Sequence, residues 1–400
     1  MSMPSAVRHI NEVRILDALY RQGTTTRADL ARELRLMRST VGNLVVGLIE
    51  QGLVSETEVT GAAPAGRTGR PGQQVRLHAG HAAFIGADIG VGHLSVVALD
   101  LQGQLVCSRT TAFEPRHGDF DTVLDALVGL IRSVMGTLPA QQTVQGICVT
   151  VPGLVNHEGV VLRAPVLGWQ SVPLQSLLAA RLGWTGMLLT ENDANAFAAT
   201  ALFGRSPQAS ADALFVYMDA GVGGGLASQG KLHRGHRGYA GEIGHLLIGE
   251  RGFDPLTAIE GSFESYVSRT AVLARHRHHG GTSNGLADFL SAVAADEPAA
   301  RHTLSEWAWW LGRGLASLIS VLDPGRIVLG GPVSVLHAQV ECAVFASIVQ
   351  HSVQPSAPPP AIEVSALGAD ACAIGGALML HHAHLSFDER IVYGGTTAET

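Results

Sequence analysis

The sequence predicts a mixed α/β protein in which an N-terminal winged helix-turn-helix precedes a larger body of two α/β lobes with a cleft between them. Three observations carry this. Residues 1–80 contain ten Arg against seven Asp and Glu, while the rest of the chain holds 17 basic against 27 acidic residues, so a basic front end adjoins an acidic body. Within the front end, apolar residues recur at helical spacing in three short segments, and a Gly/Pro-rich loop between two strand-like runs follows. Beyond residue 80 one pattern occurs twice, about 130 residues apart: a β-branched run, an Asp, a Gly-rich turn and a second run.

Composition sets the outer bounds. A chain of 400 residues with 46% hydrophobic and 15% charged residues is globular and too long for one ordinary core. We expect a DNA-binding unit over 1–80, a first lobe over 81–200 completed by a C-terminal helix at about 371–385, and a second lobe over 201–370. The net charge of −7 argues against nonspecific affinity for polyanions by the chain as a whole. Cys107, Cys148, Cys342 and Cys372 show no paired spacing, which points to a reducing compartment. The N-terminal MSMPSAVRHINEV has no apolar signal core, so a cytoplasmic protein without membrane contact is expected.

The front module reads in order. From Arg8, the residues Ile10, Val13, Leu16, Leu19 and Tyr20 put apolar groups on one helical face up to Gly23. Thr24 to Thr26 offer N-caps for a second helix, TRADLAREL, whose Leu30 and Leu34 point inward. After a four-residue turn, a third helix from about Arg38 to Gln51 buries Val41, Leu44, Val45, Leu48 and Ile49. Its outer face, with Arg38, Ser39, Thr40, Gly42 and Asn43, carries short polar groups and a guanidinium suited to phosphates and base edges in a major groove. A two-stranded wing is expected next, its tip GRTGRPG presenting Arg67 and Arg70 to a minor groove. A plain three-helix packing module with a solvated linker is the competing reading.

In the body, AAFIGADIGVGHLSVVALDLQGQLV and FVYMDAGVGGGLASQGKL are the two related hairpins. Gly-rich turns admit a phosphate close to backbone N–H groups, but tight hairpins need them equally. Four further stretches are more specific: GICVTVPGLVNHEGVVLRAPVLGW (146–169), TENDANAFAATALFG (190–204), GYAGEIGHLLI (238–248) and DPGRIVLGGPVSVL (323–336). In order and spacing they resemble the ROK family of repressors, uncharacterised reading frames and sugar kinases, from Ala82 to about Leu380. The resemblance implies an actin-like (ribonuclease-H-like) fold, and the winged module is similar to the repressor branch.

Carried over residue by residue, the resemblance implies that Asn192 and Asp193 hold sugar hydroxyls, Asp193 being the general base if the chain is a kinase. Glu242, His245 and Glu264 match further sugar-contacting positions, and Gly153 is expected to let backbone approach the ligand. Departures matter as much. The first phosphate loop, Asp88-Ile89-Gly90-Val91-Gly92-His93, has Gly92 and His93 where related kinases carry a Thr hydroxyl and a Lys ammonium, and phosphoryl transfer depends on such positioning. Pro255, Thr257 and Ser262 stand where three zinc thiolates would be, so no metal is expected and packing around Leu256, Ile259 and Phe263 should brace Glu264. Val166 stands where related kinases contact a hydroxyl through Asn.

The expectation is therefore a transcriptional regulator, most readily a repressor, that binds a double-stranded DNA operator and a small sugar effector, acts as a homo-oligomer (dimer or tetramer) and needs no cofactor. An ATP-dependent sugar kinase with an added DNA-binding domain, and a regulator whose cleft is only a scaffold, stay open. Of the His-rich pieces, RHRHHGG (275–281) is expected as an exposed loop, LHHAHL (380–385) as the polar face of the last helix, and the residues after about Ser386 as a tail.

Overall fold

Two five-stranded sheets of the same strand order organise the body. The computed structural model describes residues 3–57, 73–114, 116–205, 212–253, 259–352 and 358–386. The front module comprises α1 (Met3–Gln22), β1 (Thr24–Thr26), α2 (Arg27–Glu33), α3 (Arg38–Glu50), β2 (Val54–Thr57) and β3 (Gln74–Leu77). The first lobe follows with β4 (Ala82–Gly90), β5 (His93–Asp100), β6 (Leu105–Ala112), α4 (Phe120–Met135), β7 (Thr143–Val151), a small antiparallel sheet of β8 (Leu154–Val155), β9 (Val161–Ala164) and β10 (Trp169–Val172), then α5 (Leu174–Leu182), β11 (Met187–Asn192) and α6 (Asp193–Leu202). The second lobe holds β12 (Ala213–Met218), β13 (Val222–Ser228), β14 (Lys231–Leu232), α7 (Glu264–Val267), α8 (Arg269–His278), α9 (Leu286–Ala294), α10 (Pro298–Leu322), β15 (Arg326–Gly330), α11 (His337–His351) and β16 (Ala361–Val364); α12 (Ala371–Ser386) ends the described chain.

The sheets run β11-β7-β4-β5-β6 and β14-β13-β12-β15-β16. In each, a hairpin pairs antiparallel at the centre (Asp88 opposite Ser95; Val216 opposite Gly224) and two later strands join in parallel on the other side. This is the duplication read from the two hairpins, and it is the actin-like arrangement. Eight of the nine residues of β4 are buried, as a central strand covered on both faces requires. α12 returns to pack on β4, β5 and β7. Its approach is at backbone contact: a Cβ on Gly86 of β4 would be driven into the Ala373 carbonyl, and one on Gly375 into the Ala196 carbonyl of α6.

The winged module differs from expectation in two ways. The sheet has three strands, because Thr24–Thr26 pair antiparallel with β3 (Thr24 opposite Arg76) while β2 pairs on its other edge (Val54 opposite Leu77). Threonine is β-branched and also a good cap, and here it does both: Thr26 Oγ1 accepts the Asp29 amide at 3.1 Å. In α1 the buried apolar residues are Ile15, Leu16, Ala18, Leu19 and Tyr20, whereas Ile10 is 57% exposed. The helix starts five residues before Arg8, and its apolar burial is confined to its C-terminal half, while Arg8 reaches Gly47 of α3 from the N-terminal half.

One hydrophobic cluster runs from Leu16, Tyr20 and Leu48 of the front module through Leu101 to Phe203 and Met379 of the body. The LHHAHL stretch lies in it, so it is no polar face: His381 is fully buried and Leu380, Ala383 and Leu385 are buried beside it. RHRHHGG is likewise no loop. Its first four residues form the last turn of α8, with Arg275 and His276 fully buried. Arg275 is buried together with its guanidinium, which donates to the Tyr266 carbonyl at 2.8 Å and faces Glu306 Oε2 at 3.3 Å. The tail after Ser386, the wing tip with Arg67 and Arg70, and Leu256 lie outside the described residues.

Candidate functional site

The front module presents α3 to solvent. Arg14 Nη2 donates to the Leu34 carbonyl at 2.8 Å and Arg27 Nε meets Glu56 Oε1 at 2.7 Å, which fixes the helix-turn-helix turn to α1 and α2 to the wing. Val41, Leu44, Val45 and Leu48 are buried as expected. Arg38, Ser39 and Asn43 are exposed, Thr40 is half-buried, and the space above Gly42 is open. Met37 precedes α3 without a side-chain cap, leaving the first amides of the helix directed outward.

The interlobe cavity, of about 370 Å³, lies where the two central hairpins face each other. Its walls bring together Gly153, Asn192, Asp193, Glu242, His245 and Glu264, with Asp88, His93, Val166, Tyr217 and Asp219. β11 runs parallel to β7, which delivers Asn192 and Asp193 beside the turn that carries Gly153. Asn192 caps α6 by accepting the Asn195 amide at 3.1 Å and donates to the Gly153 carbonyl at 3.0 Å. Much of its amide is thus structural. Gly153 lines the cavity and is also required by packing: a Cβ there would meet the Arg163 carbonyl at 2.6 Å and Ala164 Cβ at 2.7 Å, so β9 lies against it on its Cβ side.

The carboxylates divide into two groups. Asp88 accepts the Thr150 hydroxyl at 2.5 Å and faces His93 Nε2 at 3.4 Å. The His93 ring lies over Gly90, where a Cβ would strike it, and the Gly92 turn at φ +87° allows this fold-back. The Asp88 contact holds the His93 imidazole above its usual range, against burial. Asp219, in the equivalent turn of the second hairpin, faces Arg269 Nε at 3.3 Å. Burial pushes its carboxyl up and Arg269 opposes this. Neither the His93 nor the Arg269 partnership was legible beforehand, because each joins residues whose proximity depends on the hairpin turn or on α8.

The second group, Asp193, Glu242 and Glu264, lines the same cavity from outside the two glycine turns. Asp193 Oδ1 accepts the Ala194 amide at 2.8 Å. Burial first, and then the charges of Asp88, Asp219 and Glu242, hold the Asp193 carboxyl well above the ordinary range. His245 stands between Glu242 (3.5 Å from Nε2) and Glu264 (3.5 Å from Nδ1), and Glu264 Oε2 accepts the Val222 amide at 3.4 Å. Burial raises the Glu242 carboxyl while His245 works against it. A further contact pins the Asp193 end of α6 across the lobes: Arg234 reaches Glu191 Oε2 at 2.8 Å, and Glu191 Oε1 accepts Asn195 Nδ2 at 3.0 Å.

Among the described residues, the packing expected to brace Glu264 is present at Phe263 and not at Ile259. Phe263 is fully buried, but Ile259 is 49% exposed. Nearby, the Arg275 guanidinium lies 4.7 Å from the Phe253 ring centre, and Tyr266 stacks on Trp310 with centroids 3.6 Å apart. A buried cation over an aromatic face and a stacked pair thus add to the apolar packing of Phe263 next to Glu264. Ser262 is fully buried; Pro255 and Thr257 fall outside the described residues.

Two actin-like lobes around a carboxylate-and-imidazole cavity, with a winged helix-turn-helix in front, define the class of two-lobed sugar-site proteins with a DNA-binding module. The chain belongs to the ROK family, whose model matches residues 84–383, and residues 9–63 match the MarR family model. It is 26% identical over 352 residues to the xylose repressor of Caldicellulosiruptor bescii, covering 84% of this chain and 86% of that protein. It is 28% identical over 268 residues to a glucokinase of Streptomyces coelicolor, covering 62% of this chain and 82% of the kinase. Among solved structures, a ROK family transcriptional regulator homologous to the E. coli MLC protein superposes with a TM-score of 0.75 at 24% identity, over 97% of this chain and all of that one.

Proposed function

We propose that the protein is a sugar-responsive DNA-binding repressor and that its cavity binds a sugar without phosphorylating it. The carrying observation is the division of the carboxylates. Asp88 and Asp219, at the two glycine turns, already face His93 and Arg269 at 3.4 and 3.3 Å. Asp193, Glu242, His245 and Glu264 line the cavity beside them. Phosphoryl transfer needs cations and donors aimed at the transferred group. Here an imidazole folded over Gly90 occupies the first turn, and the chain's own guanidinium occupies the acid of the second.

The sugar-facing groups keep their use. Carboxylates and an imidazole on one wall read hydroxyls through charge-assisted hydrogen bonds. The relatives include a xylose repressor and a glucokinase, so aldopentoses and aldohexoses are the effector class to test. Units 1–80, 81–200 with 371–385, and 201–370 act as reader and two lobes. Two readers must meet half-sites one DNA turn apart, so the acting species is a homo-oligomer, working in the cytoplasm on its operator.

Two measurements test this. Incubation with labelled ATP and a panel of aldopentoses and aldohexoses should yield less sugar phosphate than protein; multiple turnover would establish the kinase reading, which Asp193 and the paired glycine turns favour. Arg38→Ala should weaken binding to genomic fragments retained by the full-length protein by about 10–100-fold, read by fluorescence anisotropy. An unchanged affinity would remove α3 from the interface.

A further inference from the structure

Helix α6 begins at the cavity and ends at the DNA reader. Asn192 caps it and Asp193, on the cavity wall, is its first residue. At the other end Phe203 closes the last turn through its amide to the Ala199 carbonyl (2.9 Å) and offers its own carbonyl to the Tyr20 hydroxyl of α1, also at 2.9 Å. Ten residues at 1.5 Å each span about 15 Å.

Little along this rod can yield. Ala194, Ala196, Ala198 and Ala199 are buried. On one side a Cβ on Gly225 of β13 would meet Ala198 Cβ at 2.6 Å and the Ala194 carbonyl at 2.8 Å; on the other, Gly375 of α12 touches the Ala196 carbonyl. Surfaces packed at backbone contact have no soft side chains to absorb a shift, so displacement at one end is carried to the other.

The far end is built to receive it. Tyr20 is 7% exposed, 4.5 Å from the His381 ring, with the Arg205 guanidinium 5.6 Å over its own ring. A Cβ on Gly103 would come within 2.8 Å of the Tyr20 ring, so the β5–β6 turn presses on it. His381 Nε2–H donates to the Leu101 carbonyl at 2.8 Å, and burial pushes its imidazole down to about 4, leaving a neutral ring in the joint. The same turn reaches the wing through Gln102, whose Nε2 donates to the Leu77 carbonyl at 2.8 Å.

We infer that Tyr20 is the positioning residue through which α6 reports the state of the cavity to the reader: the path runs from Asp193 along α6 to the Phe203 carbonyl and across the Tyr20 hydroxyl into α1. It rests on the reading that the cavity takes a sugar and α3 reads DNA. A reader joined only by apolar contacts could slide on α6 and α12. A buried hydroxyl with one acceptor fixes a single register, because leaving that acceptor exposes an unpaired polar group.

Tyr20→Phe in the full chain removes one oxygen and keeps the ring. Affinity for a retained genomic fragment is measured without sugar and with saturating D-xylose or D-glucose, beside hydrogen exchange of 192–205 and of α1. The wild-type affinity ratio, about 5–150-fold for a coupling of this kind, should fall below about threefold while sugar binding is unchanged. Val54→Ala, a truncation in the same core away from α6, should lower the melting temperature and keep the ratio. An unaltered ratio in Tyr20→Phe overturns the inference. If no sugar raises the wild-type melting temperature, the effector reading fails, and the inference is then decided by reciprocity. DNA binding should slow exchange at 192–199 in the wild type and not in Tyr20→Phe, and no change at 192–199 in the wild type overturns it.

Discussion

Asp193→Ala is expected to abolish the sugar-induced rise in melting temperature, weakening sugar binding by about 10–100-fold, the worth of a hydrogen bond to a charged group. Asp193→Asn should separate recognition from stability. The Asp193 carboxyl is held up by burial and by neighbouring carboxylates, so its proton is bound more tightly in the folded chain than in the unfolded one. That contribution to stability is fully present below the ordinary carboxylate range and is lost as pH rises through the raised value. At neutral pH the neutral, isosteric Asn should therefore stabilise the sugar-free protein, at roughly 2–4 °C in melting temperature per kcal/mol regained. It should also flatten the fall of stability with pH above the carboxylate range. A lower melting temperature for Asp193→Asn at neutral pH would mean that the carboxylate braces the lobes instead of straining them.

The second large effect is at Gly375. A single added methyl would be driven into the Ala196 carbonyl, where α12 and α6 touch through backbone and no side chain can turn aside. Overpacking of this kind costs about 1–3 kcal/mol or more, so Gly375→Ala should lower the melting temperature by roughly 2–12 °C. Gly375→Val should give no soluble folded body. Thermal unfolding followed by circular dichroism checks both, with Gly129→Ala as a control, since a Cβ there meets nothing within 4 Å. Equal melting temperatures for Gly375→Ala and the wild type would place α12 farther from α6.

The elements that depend on local chemistry were legible in the sequence. The α3 stripe Val41, Leu44, Val45 and Leu48, the two Asp-glycine hairpins and the motif that delivers Asn192 and Asp193 follow from spacing and from motif order. What escaped depends on long-range packing. Thr24–Thr26 read as caps because β3, the strand they pair with, arrives some 50 residues later. LHHAHL read as polar because imidazole is polar in isolation; a buried neutral ring beside Tyr20 and Phe84 behaves as an aromatic. The packing of β9 against Gly153 was not legible either, since Arg163 and Ala164 come beside it only through the small β8–β9–β10 sheet. The internal partners of Asp88 and Asp219 also escaped, and Arg269, which faces Asp219 from α8, offers no spacing signal that could have found it.

The apolar cluster shared by Tyr20, Leu101, Phe203 and Met379 has a practical corollary for anyone cutting or grafting this chain. Severing it near residue 80 would strip the cover from α12 and the end of α6, leaving a raw greasy scar. A swapped-in foreign winged module would need to reproduce the shape of that scar and the phenol that anchors it, and not merely a tether of suitable length.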